Sequence, residues 1–348
     1  MKSSEKIIAD LSVLGKAIKY LSGIEKDAPK EFTASELQEV EELIERVHIH
    51  NGWFTPEMVR KALEGIALML EKGELESWVA SYPIQQGKPK TIAIIMASNI
   101  PLVGFHDFLS VLISGNKPLV KMSSEDNKLL PAILKLFYQL DENYKNWIQL
   151  TDQKIEGFDA VIATGSDNTA RYFKEYFGSY PNIIRKNRTS IAIIPEDASD
   201  EELNLLADDI FDFFGLGCRN VSKCFIPENF ELDRLFQAIF HKQDVINHNK
   251  YANNYDYNRA IHLMNQDEML DNGFVLLKES DELFSPLGML YYERYHSLEE
   301  VKEFELKYED KIQAVIARDR IPFGQGQKPS LTDYADGVDV MQFLVGLS

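Results

Sequence analysis

A series of short, mostly apolar runs constrains this chain more than any other feature. Thr91 to Ala97 reads TIAIIMA, Pro118 to Met122 reads PLVKM, Phe158 to Thr164 reads FDAVIAT, and Ser190 to Pro195 reads SIAIIP. Runs this short, without polar alternation, are what strands buried on both faces give, and such strands belong to parallel sheets. Helical stretches lie between them: Val103 to Ile113, Asn168 to Phe177, and Asp200 to Phe214. Strand, helix, strand is the parallel crossover, and ligands of such folds sit at the carboxyl ends of the strands. Asn99, Lys121 and the Thr164-Gly165-Ser166 turn stand at those ends. The fold class is therefore α/β.

The residues before Thr91 carry a different period. Residues 4–22 place Ile7, Leu11, Leu14, Ile18 and Leu21 on one helical face, with Gly23 as a stop. A second helix starts near Ser35, with Ser35 and Gln38 as a capping box. A third opens at Thr55-Pro56, with proline in its first turn, and is expected to end at Gly73. Beyond the strand region, residues 244–262, rich in Asn and Tyr, read as loop. Strands are expected at 274–277, 288–292 and 312–317, a helix at 298–306, and a final strand within 338–347.

The chain has 348 residues, which suggests two domains or one large one. Its net charge of −18 disfavours broad binding to nucleic acid or anionic membranes. No apolar run approaches the roughly 18 residues of a membrane span, and charges break up the N-terminal stretch where a signal peptide would be apolar. Two cysteines make no disulfide framework, which points to a reducing compartment, the cytoplasm. His48 and His50 read as a solvated helix end, with a metal pair as the alternative, since no other ligand is indicated nearby; His241, His248 and His262 lack metal-ligand spacing, so no metal site is expected.

Chemistry concentrates at Phe213 to Pro227, FFGLGCRNVSKCFIP, which holds both cysteines, Cys218 and Cys224. Glycines before Cys218 let backbone approach a ligand, and the Cys218 N–H and thiol can address one carbonyl. Arg219 beside it would favour thiolate; the alternative is a buried, inert cysteine. Asn99 can donate to an oxyanion or serve as a turn residue before proline. His106 reads as packed. Gly165-Ser166 at a helix start is a phosphate cradle. Arg185-Lys186-Asn187-Arg188 reads as a solvated linker, with an anion-facing cluster as the alternative.

Taken together and in this order, these residues resemble the aldehyde dehydrogenase superfamily over about residues 80–335. Asn99-Ile100-Pro101 is similar to its N-x-P oxyanion motif, and Gly115-Asn116 through Lys121 to its segment with a ribose-contacting lysine. Thr164-Gly165-Ser166 is similar to its pyrophosphate turn, and Ala192-Ile-Ile with Asp197-Ala198 to its strand before the catalytic domain. Gly215-x-x-Cys218 matches its nucleophile motif. Glu282-x-Phe284-x-Pro286 matches its nicotinamide-ribose motif, and Pro322-Phe323-Gly324 its late loop. The family's general-base glutamate falls at Ile184. Loss of a water-activating base resembles the CoA-linked members, and within them GLGCRN and TDYADGVD are most similar to the LuxC-type fatty acyl-CoA reductases.

The resemblance implies a two-domain fold. Residues 1–188 would bind the cofactor in a Rossmann-like domain, 189–335 would form the catalytic domain, and 336–348 would make an oligomer contact in a homodimer or larger assembly. It implies reduction of acyl-CoA to aldehyde through an acyl group on Cys218, with Asn99 at the oxyanion and coenzyme A as product or co-substrate. Lys121, Ser124, Thr164, Gly165, Ser166, Glu282 and Phe284 would hold the cofactor. Ser124, where a ribose-binding glutamate often stands, favours NADPH; Glu125 in that place would favour NADH. The rivals are a catalytically silent relative and an enzyme oxidising aldehyde to acid.

Overall fold

The apolar runs form two separate sheets in the computed structural model, which describes residues 4–84 and 88–347. One sheet lies in each of two compact units, Met1–Lys186 with Ser330–Ser348, and Asn187–Pro329. The fold is α/β with mostly parallel strands.

The first unit begins with four helices: α1 (Ser4–Ser22), α2 (Ala34–Arg46), α3 (Pro56–Met69) and α4 (Lys72–Ala80). Leu11, Leu14, Ile18 and Leu21 of α1 are all fully buried. At roughly 1.5–3 kcal/mol for each such side chain, this stripe alone holds α1 to its neighbours. The capping box of α2 is Thr33 with Glu36, not Ser35 with Gln38. Thr33 has the extended backbone a cap needs, whereas Ser35 already lies within the helix. Gly73 ends nothing: the third helix stops at Met69 and Gly73 lies inside α4.

The sheet of this unit comprises β1 (Thr91–Ile95), β2 (Lys117–Lys121), β3 (Gln149–Thr151), β4 (Ala160–Thr164) and β5 (Asn182–Arg185), in the order β3-β2-β1-β4-β5. All pairings are parallel. The chain steps outward from β1 to β3, then returns to β4 on the other side of β1. That reversal is a topological switch point, where the loops after neighbouring strands diverge and leave a crevice. Three helices, α5 (Phe105–Ile113), α6 (Leu129–Leu140) and α7 (Asp167–Phe177), connect these strands. Alternation sends Ile92, Ile94, Val120 and Ile162 into the large core with α5 and α6. Ala93, Leu119, Val161 and Ala163 face the smaller cluster with Phe173 and Phe177 of α7.

The second unit runs β6 (Thr189–Ile193), α8 (Asp200–Phe211), β7 (Val221–Pro227), α9 (Leu232–Ile239), α10 (Asn249–Asn265), β8 (Leu270–Asp271), β9 (Leu276–Glu279), β10 (Met289–Tyr295), α11 (Leu298–Lys307) and β11 (Ile312–Ile316). Its sheet order is β11-β6-β7-β10-β9-β8, with only the short β8 antiparallel. Most of the stretch expected as loop is the helix α10. Its buried side is made of Tyr251, Tyr255 and Asn258. Tyr251 and Asn258 donate to the carbonyls of Phe274 and Leu287. Polar residues make its inner face, so no apolar stripe announces it.

Residues expected as a final strand form α12 (Val340–Val345), which buries Val340, Met341 and Leu344 and is capped by Asp339. This helix packs against α5 in the first unit. The solvated-linker reading of residues 185–188 fails at its first residue. Arg185 is buried and makes a bidentate pair with Asp107 of α5, at 2.5 and 2.8 Å. Breaking a buried pair strands a charge. Arg185→Ala is therefore expected to lower the unfolding free energy by about 3–5 kcal/mol, while replacing both partners with apolar residues recovers much of the loss; urea denaturation of the three proteins checks this.

Candidate active site

In the first unit the sequence-predicted residues gather at the carboxyl edge of the sheet. Asn99 is exposed on the loop after β1. Three side chains fix that loop. Asn51 donates to the Ser98 carbonyl at 3.3 Å, Ser123 bonds the Ser98 hydroxyl at 2.9 Å, and Asp126 accepts the Leu102 N–H at 3.1 Å. Leu102 has φ of 55°, a left-handed conformation that a buried leucine adopts only when its surroundings impose it. Burial pushes the Asp126 carboxyl up to about 6.

Lys121 ends β2 on the α7 side of the sheet, in alternation with Leu119, and its ammonium group donates to the Asp152 carbonyl. Ser124 and Glu125 both lie exposed in the turn that follows. Thr164 ends β4, and Ser166 caps α7 by accepting the Thr169 N–H. A Cβ at Gly165 would lie 2.9 Å from the Thr169 side chain, so any larger residue there would have to push Thr169 aside. The N–H groups of a helix's first turn have no intrahelical partners, so this mouth of α7 can face an anion, although Asp167 opposes it. Ile184 sits on β5 beside Ala163. His106 packs between the rings of Trp78 and Tyr334 and bonds the Leu331 carbonyl; burial pushes its pKa down.

In the second unit Cys218 precedes β7, following a turn of three successive left-handed residues. Phe213, Phe214 and Gly215 have φ of 52°, 58° and 78°. Two of these are phenylalanines, so the turn is held against its backbone preference. Asn220 holds it. Its side-chain oxygen accepts the Gly217 N–H at 2.8 Å, and its amide donates to the carbonyls of Asp212 at 2.8 Å and Asp209 at 3.1 Å. Ser190 donates to the Cys218 carbonyl at 3.0 Å. Cys218 is partly exposed, whereas Cys224 on β7 is fully buried. Burial, with the nearby Asp209, pushes the Cys224 thiol up to about 12. Arg219 turns its Nε to the Gly326 carbonyl.

Glu282 and Phe284 are exposed on the loop between β9 and β10. Two β7 side chains anchor that loop. Ser222 donates to the Leu283 carbonyl at 2.9 Å, and Lys223 donates to those of Ser280 and Glu282 at 2.6 and 3.2 Å. Lys223 is fully buried, pairs with Glu293, and has its pKa lowered by desolvation. Sequence reasoning missed Lys223, Asn220, Ser190 and Asp126. For Lys223 a signal existed, a charge inside the apolar run Val221 to Pro227. Among the described residues no cluster of potential metal ligands occurs, and no helix is long and apolar enough to cross a membrane.

Two units on parallel sheets, with the apolar crossovers of the first and a cysteine turn in the second, define the aldehyde dehydrogenase fold. Aldehyde dehydrogenase 21 of Physcomitrella patens matches with a TM-score of 0.61 at 12% identity, over 92% of this chain and 74% of that one. Betaine aldehyde dehydrogenase of Staphylococcus aureus matches with 0.63 at 13%, over 91% and 72%. A 3,6-anhydro-L-galactose dehydrogenase solved in complex with NAP gives 0.54 at 13%, over 86% and 74%. No curated protein matches the sequence. The family described as Acyl-CoA reductase (LuxC) matches residues 16–279, and the chain belongs to it. It is an oxidoreductase with aldehyde-dehydrogenase-type chemistry.

The contrast between the thiols has a direct consequence. Iodoacetamide near pH 8 is expected to add one label per folded chain, on Cys218, and to reach Cys224 only after unfolding; peptide mass spectrometry reads the positions.

Proposed function

We propose that this chain reduces acyl-CoA to the aldehyde through an acyl group carried on Cys218. The observation that carries the reading is the contrast within one segment. Cys218 is partly exposed in a braced turn, and Cys224 is buried with its thiol held protonated. In this reading the Cys218 thiolate attacks the thioester carbonyl. A carbon–sulfur bond forms to the enzyme, and the bond to coenzyme A breaks as its thiolate leaves. The Cys218 N–H and Asn99 are assigned to the oxyanion, which needs fixed donors; the bonds to Ser98 and Leu102 brace the Asn99 loop for that task. Release of aldehyde breaks the same carbon–sulfur bond and returns the thiolate.

The nicotinamide cofactor is assigned to the carboxyl edge of the first sheet. Lys121 and the α7 mouth suit its ribose and phosphates there, and Glu282 and Phe284 are assigned to the nicotinamide end. When bound it supplies the hydride that makes a thioester into an aldehyde. We assign NADPH rather than NADH on Ser124, with Glu125 as the residue that would reverse the preference. A neutral Gly165 at the helix mouth suits the phosphate charge, as does Lys121 at the carboxyl end of β2, one strand removed from β4. Neither cysteine forms a disulfide, which fits a reducing cytoplasm. A homodimer or larger assembly belongs to the same proposal.

Ile184 gives the reading its sharpest consequence. Well-placed general bases contribute roughly 10²–10⁴-fold, and an isoleucine supplies none. With aldehyde and NADP⁺ alone, the enzyme is expected to complete at most one turnover per Cys218 and then stall as acyl-enzyme. Adding coenzyme A restarts it and yields acyl-CoA, while Cys218→Ala does neither. Absorbance of the reduced cofactor and intact mass follow both steps. Continuous free-acid release without coenzyme A would instead establish ordinary aldehyde oxidation.

A further inference from the structure

Asp209, on α8, is fully buried. Its two carboxylate oxygens accept two backbone N–H groups of one loop, Gly324 at 2.6 Å and Gly326 at 2.8 Å. A Cβ at Gly326 would come within 2.7 Å of an Asp209 oxygen, so the loop lies tight against the carboxylate. The same loop is bonded to the cysteine turn from its other side, because the Gly326 carbonyl accepts Arg219 Nε. The ring closes through the main chain: Arg219 is followed by Asn220, whose amide donates to the Asp209 carbonyl at 3.1 Å. Carboxylate, loop glycine, Arg219 and Asn220 thus form one circuit that includes the two residues after Cys218.

We propose that Asp209 is a positioning residue for Cys218: ionised, it locks the Gly324–Gly326 loop onto the cysteine turn, and taking up a proton slackens that lock. This rests on the reading of Cys218 as the nucleophile. The reason is stoichiometric. A carboxylate accepts at both oxygens, but a carboxylic acid turns one of them into an O–H donor facing an N–H that also donates. One of the two glycine bonds is then lost.

The switch falls in the working range. Burial pushes the Asp209 carboxyl up to about 7, against the two N–H groups and with help from Asp212 and Asp208. The surrounding charges are these two aspartates, both bonded to Lys242; the titratable group facing from β7 is the Cys224 thiol, which is neutral. Among the described residues no lysine or arginine pairs with Asp209. The sign is fixed by the raised pKa. The stability from keeping this group neutral is fully present below about pH 4 and is lost as pH rises through about 7. The slack form is thus the more stable fold, and the locked form is held against a stability cost.

The test is the rate of Cys218 alkylation by iodoacetamide across pH, in the wild type, Asp209→Asn and Gly326→Ala, with near-UV circular dichroism reporting the fold. An amide mimics the protonated acid, and the alanine pushes the loop off an intact carboxylate. At about pH 8, Asp209→Asn is expected to label about tenfold more slowly, the low end of what one hydrogen bond to a charged group is worth. The two rates converge toward pH 6, and the second ionisation in the wild-type profile is missing from the variant. Gly326→Ala is slow at every pH. Equal wild-type and Asp209→Asn rates throughout, or faster labelling of the variant, overturn the proposal. The readout needs no acyl-CoA, so a failure of acyl-CoA reduction with normal labelling behaviour would count against the proposed function alone.

Discussion

The amide of Asn220 connects more of this protein's chemistry than any other single group. A helix ends with carbonyls that have no partner in the helix, and a left-handed turn has N–H groups aimed away from regular bonding. Asn220 meets both needs at once, taking the carbonyls of Asp209 and Asp212 and the N–H of Gly217. The turn can therefore keep two phenylalanines at positive φ. Without that brace, strain of about 1–3 kcal/mol per such residue would relax the turn and move the thiol with it. Ser190 adds a bond from β6 to the Cys218 carbonyl, so the cysteine main chain is fixed on both sides.

The same logic recurs in the other loops. Asp126 and Ser123 brace the Asn99 loop, and Lys223 and Ser222 brace the loop of Glu282. In each case a polar group from a strand or turn is buried or half-buried to hold a loop, by its backbone or, for Ser123, by the Ser98 hydroxyl, and it contributes no reacting atom. Burial of Lys223 is costly, and it is offset by two carbonyls, a carboxylate and the ring of Phe304. Such expense is understandable where a loop of otherwise ordinary stability has to present exposed residues at fixed positions.

How far the sequence reveals this depends on the range of the interaction. The runs at Thr91, Pro118, Phe158 and Ser190 are legible as parallel strands because burial on both faces leaves a local mark. The helix stripe of Ile7 to Leu21 is legible for the same reason. The helix at Asn249 is not, because its inward residues are tyrosine and asparagine bonded to distant carbonyls. Arg185 reads as part of a basic cluster until Asp107, far away in sequence, is brought beside it. Cys218 and Asn99 are conspicuous through their neighbours, glycines and proline. The groups that hold them, Asn220, Asp126 and Asp209, carry no local pattern, since their partners are backbone atoms, which look alike in every sequence.

The placement of the final helix carries a consequence for the order in which this protein is made. Tyr334 accepts the Trp78 indole N–H at 2.7 Å, Asp339 accepts the Tyr82 hydroxyl, and α12 covers α5, so the first unit includes residues that follow the entire second unit. On a ribosome the first part of that unit emerges early and must wait for Asn187–Pro329 to be translated, a delay on the order of ten seconds at ordinary elongation rates. During the wait α5 lacks the apolar cover of α12, while the intervening unit is still gaining its own residues. Nascent chains therefore leave the face of α5 that meets Val340, Met341 and Leu344 of α12 without its final packing partner for a defined interval.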